Sequence, residues 1–169
     1  MRILLQTVHG SRLYGLSHED SDNDMFYVVP GDGRAKHNVE GRADDVTVPL
    51  ERFLRNANSG SHQSVEALFS PYAVIDPEYR ALFKNMRITG GDVFEKYRRT
   101  IHKFSHGNRK KRQHAVRLAF NLRGLREEGR FNPVLSEEEI FIVRESAKLL
   151  QDERLYRLCE MLSTPRSSK

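Results

Sequence analysis

The chain has 169 residues, of which 38% are hydrophobic and 30% charged, with a formal net charge of +5 and a pI near 9.5. That length suits one domain, or a small domain with a helical appendix, and no apolar run approaches a membrane span. The N-terminus lacks a charged-then-apolar signal pattern, and the single cysteine, Cys159, excludes an internal disulfide and fits a reducing cytoplasm. The basic balance favours a polyanionic partner such as nucleic acid, without specifying one.

Residues 1–8 read as a strand, closed by Gly10-Ser11. After ten intervening residues, Asp22-Asn23-Asp24 introduces a second strand over 24–29. Alternation along a strand sends Asp22 and Asp24 to one side and Asn23 to the other. Two carboxylates ~4 Å apart near a surface repel by roughly 4 kcal/mol, a cost removed by a cation between them. Hard oxygen ligands suit Mg²⁺ or Mn²⁺. Gly10 lets the backbone approach a phosphate, Ser11 adds a hydroxyl, and a helix starting near Arg12 would aim its positive end at the same anion. A polar hairpin loop over Ser17 to Asp24 is the plainer alternative. The combination of apolar strand, Gly-Ser, gap, Asp-x-Asp and apolar strand favours a phosphate-and-metal site.

Pro30-Gly31-Asp32-Gly33 is a turn signal, and the polar segment Arg34 to Arg42 is either a mobile loop over the site or a long connection. A third strand follows over 45–49. Pro49 starts a helix that Asn58-Ser59-Gly60-Ser61 ends, Ser64 to Phe69 begins another, and Asp76-Pro77-Glu78 caps one running to about Asn85. From Gly91 the pattern is helical, over 92–105, 109–129 and 136–162, the last broken near Gln151-Asp152. Ser136-Glu137-Glu138-Glu139 reads as a capping box, and Thr164 to Lys169 as a frayed tail. The boundary falls near Thr89-Gly90-Gly91, giving a strand-containing front over 1–89 and a helical back over 90–169.

On the 109–129 helix, a wheel places Ala115, Leu118, Ala119, Leu122 and Leu125 on one face, and Lys110, His114, Arg117 and Asn121 on the opposite flank. That flank spans about three turns, long enough for a triphosphate to lie along it. Arg109, Lys110 and Arg112 read as a solvated basic face, and Arg123, Arg126 and Arg130 as surface. Lys111 falls near the apolar edge. Cys159, among Leu155, Leu158 and Leu162, reads as core. His102 and His106 lack the intervening glutamate of a helical metalloprotease motif and read as surface.

The string Gly10-Ser11-Arg12-Leu13-Tyr14-Gly15-Leu16, followed by Ser21-Asp22-Asn23-Asp24, resembles the DNA polymerase β nucleotidyltransferase superfamily. Within it, the string looks like the branch of nucleotidyltransferases found beside RNA ligases. The likeness continues through Asp45-Val46-Thr47-Val48, Phe53-Leu54 and Glu66-Ala67-Leu68-Phe69-Ser70-Pro71, and returns weakly in the C-terminal helices. It implies a mixed α/β (α+β) fold, with a nucleotidyltransferase core over 1–89 and a C-terminal helical module over 90–169. It also implies a third carboxylate, for which Asp44 and Asp45 are the candidates and Asp45 the better match. Asp22, Asp24 and Asp45 would then be catalytic and metal-binding. Gly10, Ser11 and Arg12 would cradle the nucleotide, with Lys111, His114 and Arg117 reaching back to it.

The activity implied is transfer of a nucleoside monophosphate from ATP or another NTP to an acceptor hydroxyl, releasing pyrophosphate with Mg²⁺ or Mn²⁺ as cofactor. The acceptor would be an RNA 3′ end, such as that of a tRNA, with an RNA ligase as companion. This chain departs from the pattern in having no helix ahead of the first strand, and in a polar Asn23 between the two acids. Two rival readings stand beside this one. The first is a catalytically silent nucleotide-sensing or antitoxin-like module of the same fold. The second is a basic helical RNA-binding protein.

Overall fold

The structure is a computed structural model and describes residues 1–166; Ser167, Ser168 and Lys169 of the expected tail lie outside the described residues. It has the expected mixed α/β class, with strands in front and helices behind. The chain divides into two compact units, Met1–Met86 and Arg87–Lys169.

The first unit is built on a five-stranded mixed sheet. Its strands are β1 (Leu5–Val8), β2 (Met25–Val29), β3 (Lys36–Glu40), β4 (Ala43–Pro49) and β5 (Val74–Ile75), in the order β3-β4-β2-β1-β5. β2 and β4 run parallel, and the other neighbours are antiparallel. Its helices are α1 (Ser11–Tyr14), α2 (Leu50–Asn58), α3 (His62–Phe69) and α4 (Arg80–Asn85). Alternation buries Leu5 and Thr7 of β1, Phe26 and Val28 of β2, and Val46 and Val48 of β4 on one face. Phe53 of α2 packs on that face, its ring 5.9 Å from Phe26 and 5.9 Å from Phe83 of α4. Burying each such side chain is worth about 1.5–3 kcal/mol.

The segment expected as a loop over 34–42 instead contains β3. All five of its residues are exposed, so no apolar alternation marks it, and backbone pairing with β4 alone makes it a strand. β5 was also unforeseen. Its two residues pair with Leu5 and Gln6 of β1, too short a run to leave a periodic signal.

The second unit consists of α5 (Gly91–Ser105), α6 (Arg109–Glu128), α7 (Glu137–Leu149) and α8 (Asp152–Ser163). Asn108 caps α6 by accepting the Lys111 N–H, and Gly129 ends it in the left-handed region. The Ser136–Glu139 capping box forms, and extended residues at Leu150 and Gln151 break the last helical stretch at the expected place. α6 packs against α5, α7 and α8. Its expected inward residues Ala115, Leu118, Ala119, Leu122 and Leu125 are all buried.

Arg112 and Arg126 are not on solvated surface, as the charge pattern had suggested. The Arg112 side chain is only 11% exposed. Its guanidinium donates to the carbonyls of Ser105, Ala147 and Leu150 and pairs with Asp152, fastening α6 to the ends of the neighbouring helices. Arg126 is half-buried and donates to the Ser163 carbonyl at 2.9 Å, satisfying the end of α8. Nor is the described part of the tail loose. The Arg166 backbone N–H and side chain both bond Glu127 (N to Oε1, 2.8 Å), which holds that carboxyl below its usual range. No helix among the described residues is long and apolar enough to cross a membrane.

Candidate active site

The site is assembled where β1 ends. His9, the residue after β1, donates its N–H to the Asp24 carbonyl at 3.0 Å, and its ring lies edge-on to Phe26. The chain then turns at Gly10, with φ 71° and ψ −152°. A Cβ there would stand 3.3 Å from Asp24 Oδ2, in a conformation that L side chains rarely adopt. Glycine is thus required twice over, by the backbone angle and by the carboxylate against it.

Below the turn, α1 is pinned by its buried residues Leu13 and Tyr14. The Tyr14 hydroxyl donates to Glu66 Oε2 of α3 at 2.6 Å, and the Thr7 and Ser70 hydroxyls meet at 2.6 Å. Sequence reasoning gave Glu66 no role of its own. The available signal was a carboxylate inside the buried run Ser64 to Ser70. The expected dipole contribution of this helix is small, because α1 has only four residues.

Asp22 and Asp24 are half-buried and Asn23 is exposed. Asp24 Oδ1 accepts the Asp44 N–H at 2.8 Å, which ties the start of β2 to the start of β4. Arg12 is exposed, and its guanidinium donates to the Ser21 and Asp22 carbonyls. The cation expected to meet a triphosphate therefore also holds the loop that carries Asp22.

The two candidates for the third carboxylate occupy different faces. Phe26 pairs with Val46 in parallel register, which sets Asp44 level with Asp24 on the face of the buried Phe26 and Val46. Asp45, the expected third acid, belongs to the opposite face with Thr47, and its Oδ1 accepts the Met25 N–H at 3.1 Å. The Asp44 carboxylate lies 3.4 Å from His37 Nδ1, and the Asp44 carbonyl lies 3.4 Å from His9 Nε2.

Among the described residues, no group of three or more His, Cys, Asp or Glu side chains is gathered to hold a metal unaided. The pair Asp24 and Asp44, level at the starts of adjacent strands, is hard and anionic. It fits a Mg²⁺-type ion that takes one or two carboxylates and completes its shell with substrate phosphates.

The remaining expected residues belong to the second unit. Lys111 is exposed. Arg117 Nε and Nη2 both lie 3.2 Å from His114 Nδ1. Arg117 and Asn121, expected on a solvent flank, are 1% and 2% exposed. Every residue from Ala115 to Leu122 is buried, which a one-faced wheel does not represent.

Comparison with protein-family models and with curated proteins finds no match for this chain.

Proposed function

We propose that the first unit is a metal-dependent nucleotidyltransferase core of the DNA polymerase β type, moving a nucleoside monophosphate from an NTP to the hydroxyl of an RNA end. The observation that carries this reading is the Asp24 carboxylate lying against Gly10, at the positive-φ turn that leads from β1 into α1. A phosphate tail on that turn comes within reach of Asp24. Arg12 holds the Ser21 and Asp22 carbonyls and so ties down the loop that carries Asp22. The net charge of +5 suits a polyanionic acceptor.

In this reading Asp22 and Asp24 hold the metal, joined by Asp44 on the same face. The ion, when bound, supplies charge neutralisation and lowers the barrier to ionising the attacking hydroxyl. The chain itself orients the reactants. Gly10 and Ser11 fix the β- and γ-phosphates, and a carboxylate at the start of β4 takes the acceptor proton. The acceptor oxygen bonds to the α-phosphorus, the bond from that phosphorus to the α–β bridging oxygen breaks, and pyrophosphate leaves with the electron pair. Positioning and charge stabilisation account for most of the rate in such transfers.

The test is to incubate the full chain with each radiolabelled NTP, Mg²⁺ or Mn²⁺, and RNAs of defined 3′ end, beside Asp22→Ala and Asp24→Ala. The expected result is label transfer with pyrophosphate release, lost in both variants. Nucleotide binding without turnover would turn the reading to a sensor. Salt-sensitive RNA binding indifferent to both changes would leave a basic RNA-binding protein.

A further inference from the structure

A cavity of about 530 Å³ lies within the second unit, lined by residues of α6, the 130–136 connection, the start of α7 and Arg166. Its volume falls in the range of small-molecule sites. Gly124 makes it. In the middle of a 20-residue helix, glycine costs about 1 kcal/mol relative to alanine. Here a Cβ would stand 2.7 Å from Phe131 Cβ and 2.9 Å from the Arg130 carbonyl. Its absence lets the chain after α6 fold directly back over the helix, which sets Phe131, Val134 and Leu135 along one side of the cavity.

On the other side, the Arg123 guanidinium lies over the Phe120 ring at 5.5 Å. It makes no ion pair within 4 Å among the described residues. The acids of the lining are largely engaged or solvated. Glu127 is bound to Arg166, Glu139 Oε1 accepts the Ser136 N–H in the capping box, and Glu128 is exposed. The cavity thus offers the Arg123 cation over an aromatic ring, facing an apolar wall.

We infer that this cavity binds a nucleotide unit, its base stacking on the Arg123–Phe120 pair and its phosphate drawn by the Arg123 charge. An aromatic ring with an overlying guanidinium is a general platform for a nucleobase, and an otherwise unpaired arginine attracts phosphate. The site is read from the helical unit alone and does not depend on the acids of the first unit. The nucleotide comes either free or as the end of a single-stranded RNA.

The test uses the full chain in EDTA, with AMP and a fluorescent six-residue oligoadenylate as probes. The expected result is binding that Arg123→Ala weakens about tenfold, and that Arg123→Lys also weakens because the planar stack is lost. Val134→Trp, which fills the cavity from its wall, blocks it. Displacement of the oligonucleotide by AMP identifies the free nucleotide as sufficient, and binding of the oligonucleotide alone identifies the RNA end. As a readout independent of variant folding, amide NMR shifts on titrating the wild type are expected at Gly124, Phe131 and Val134. Failure of the wild type to bind either probe, affinities unchanged in folded Arg123→Ala and Val134→Trp, or shifts confined to residues outside the cavity would each overturn the inference. Absence of nucleotidyl transfer in the assay with Mg²⁺ or Mn²⁺, with this EDTA-resistant binding intact, would count only against the transferase reading.

Discussion

The first unit leaves Asp22, Asp24 and Asp44 half-buried near the starts of β2 and β4, whereas the second fastens Arg112 and Arg126 to backbone carbonyls. Asp24 Oδ1 accepts the Asp44 N–H, which joins the starts of β2 and β4. Arg112 and Arg126, which look like an ordinary basic surface in the sequence, close the ends of α5, α7 and α8. The charge of Arg112 and Arg126 thus serves the fold itself. The two sets should therefore answer differently to mutation, one through activity and the other through stability.

The sharpest division is expected from Asp24→Ala. Nucleotidyl transfer should fall about 10³-fold, while the melting temperature stays within a few degrees, since the loss removes a repelling charge together with one hydrogen bond. A comparable loss of stability, measured by calorimetry, would break the contrast from the first unit's side. Arg112→Ala tests the other side. It strands several partly buried carbonyls and should cost on the order of 3 kcal/mol, lowering the melting temperature by roughly 10 °C. Arg112→Lys should recover little of this, because one ammonium cannot reproduce the guanidinium fork. An unchanged melting temperature would return Arg112 to the solvated surface.

The pair Asp44→Asn and Asp45→Asn sharpens the first unit further. Shared face and register with Asp24 put the larger effect on Asp44, about 30-fold or more in kcat, with Asp45→Asn within a few-fold. The reverse ranking would give the role to Asp45. Two smaller effects belong to the helical unit. Burial pushes the Cys159 thiol up to about 12, so a thiol reagent at pH 8 should label it only after unfolding. Rapid labelling of the folded chain would contradict its place in the core. His106 has its pKa raised above 6.5 by the His102 carbonyl and then by Glu153. Its stabilisation is therefore complete below 6.5 and lost as pH rises through the raised folded value. Melting curves from pH 5.5 to 8.5 should show a small decline that Glu153→Gln reduces.

The elements that sequence made legible are those with a periodic apolar face. β1, β2 and β4 alternate, and α5 to α8 carry caps or breaks at their ends, so they fall near their expected places. β3 is exposed on every residue, and only its pairing with β4, a non-local property, creates it. The turn at Gly10 after β1 was readable because a local glycine signal sets it. The choice between Asp44 and Asp45 was not, because a one-residue shift in a strand exchanges its faces. Arg112, Arg117 and Arg126 misled for another reason. A helical wheel reports one apolar face and has no means of showing that a central helix is enclosed on several sides.

The strand order has a kinetic consequence. β4 lies between β3, its hairpin partner, and β2, so the sheet is completed only when residues well separated along the chain have met. The four-helix unit packs α5 on α6 and α6 on α7 in sequence, with only α8 returning to the earlier helices, and needs fewer distant encounters before contacts begin to reward them. On dilution from denaturant, the helical half should acquire protected amides first, the reverse of the order in which a ribosome releases the two halves.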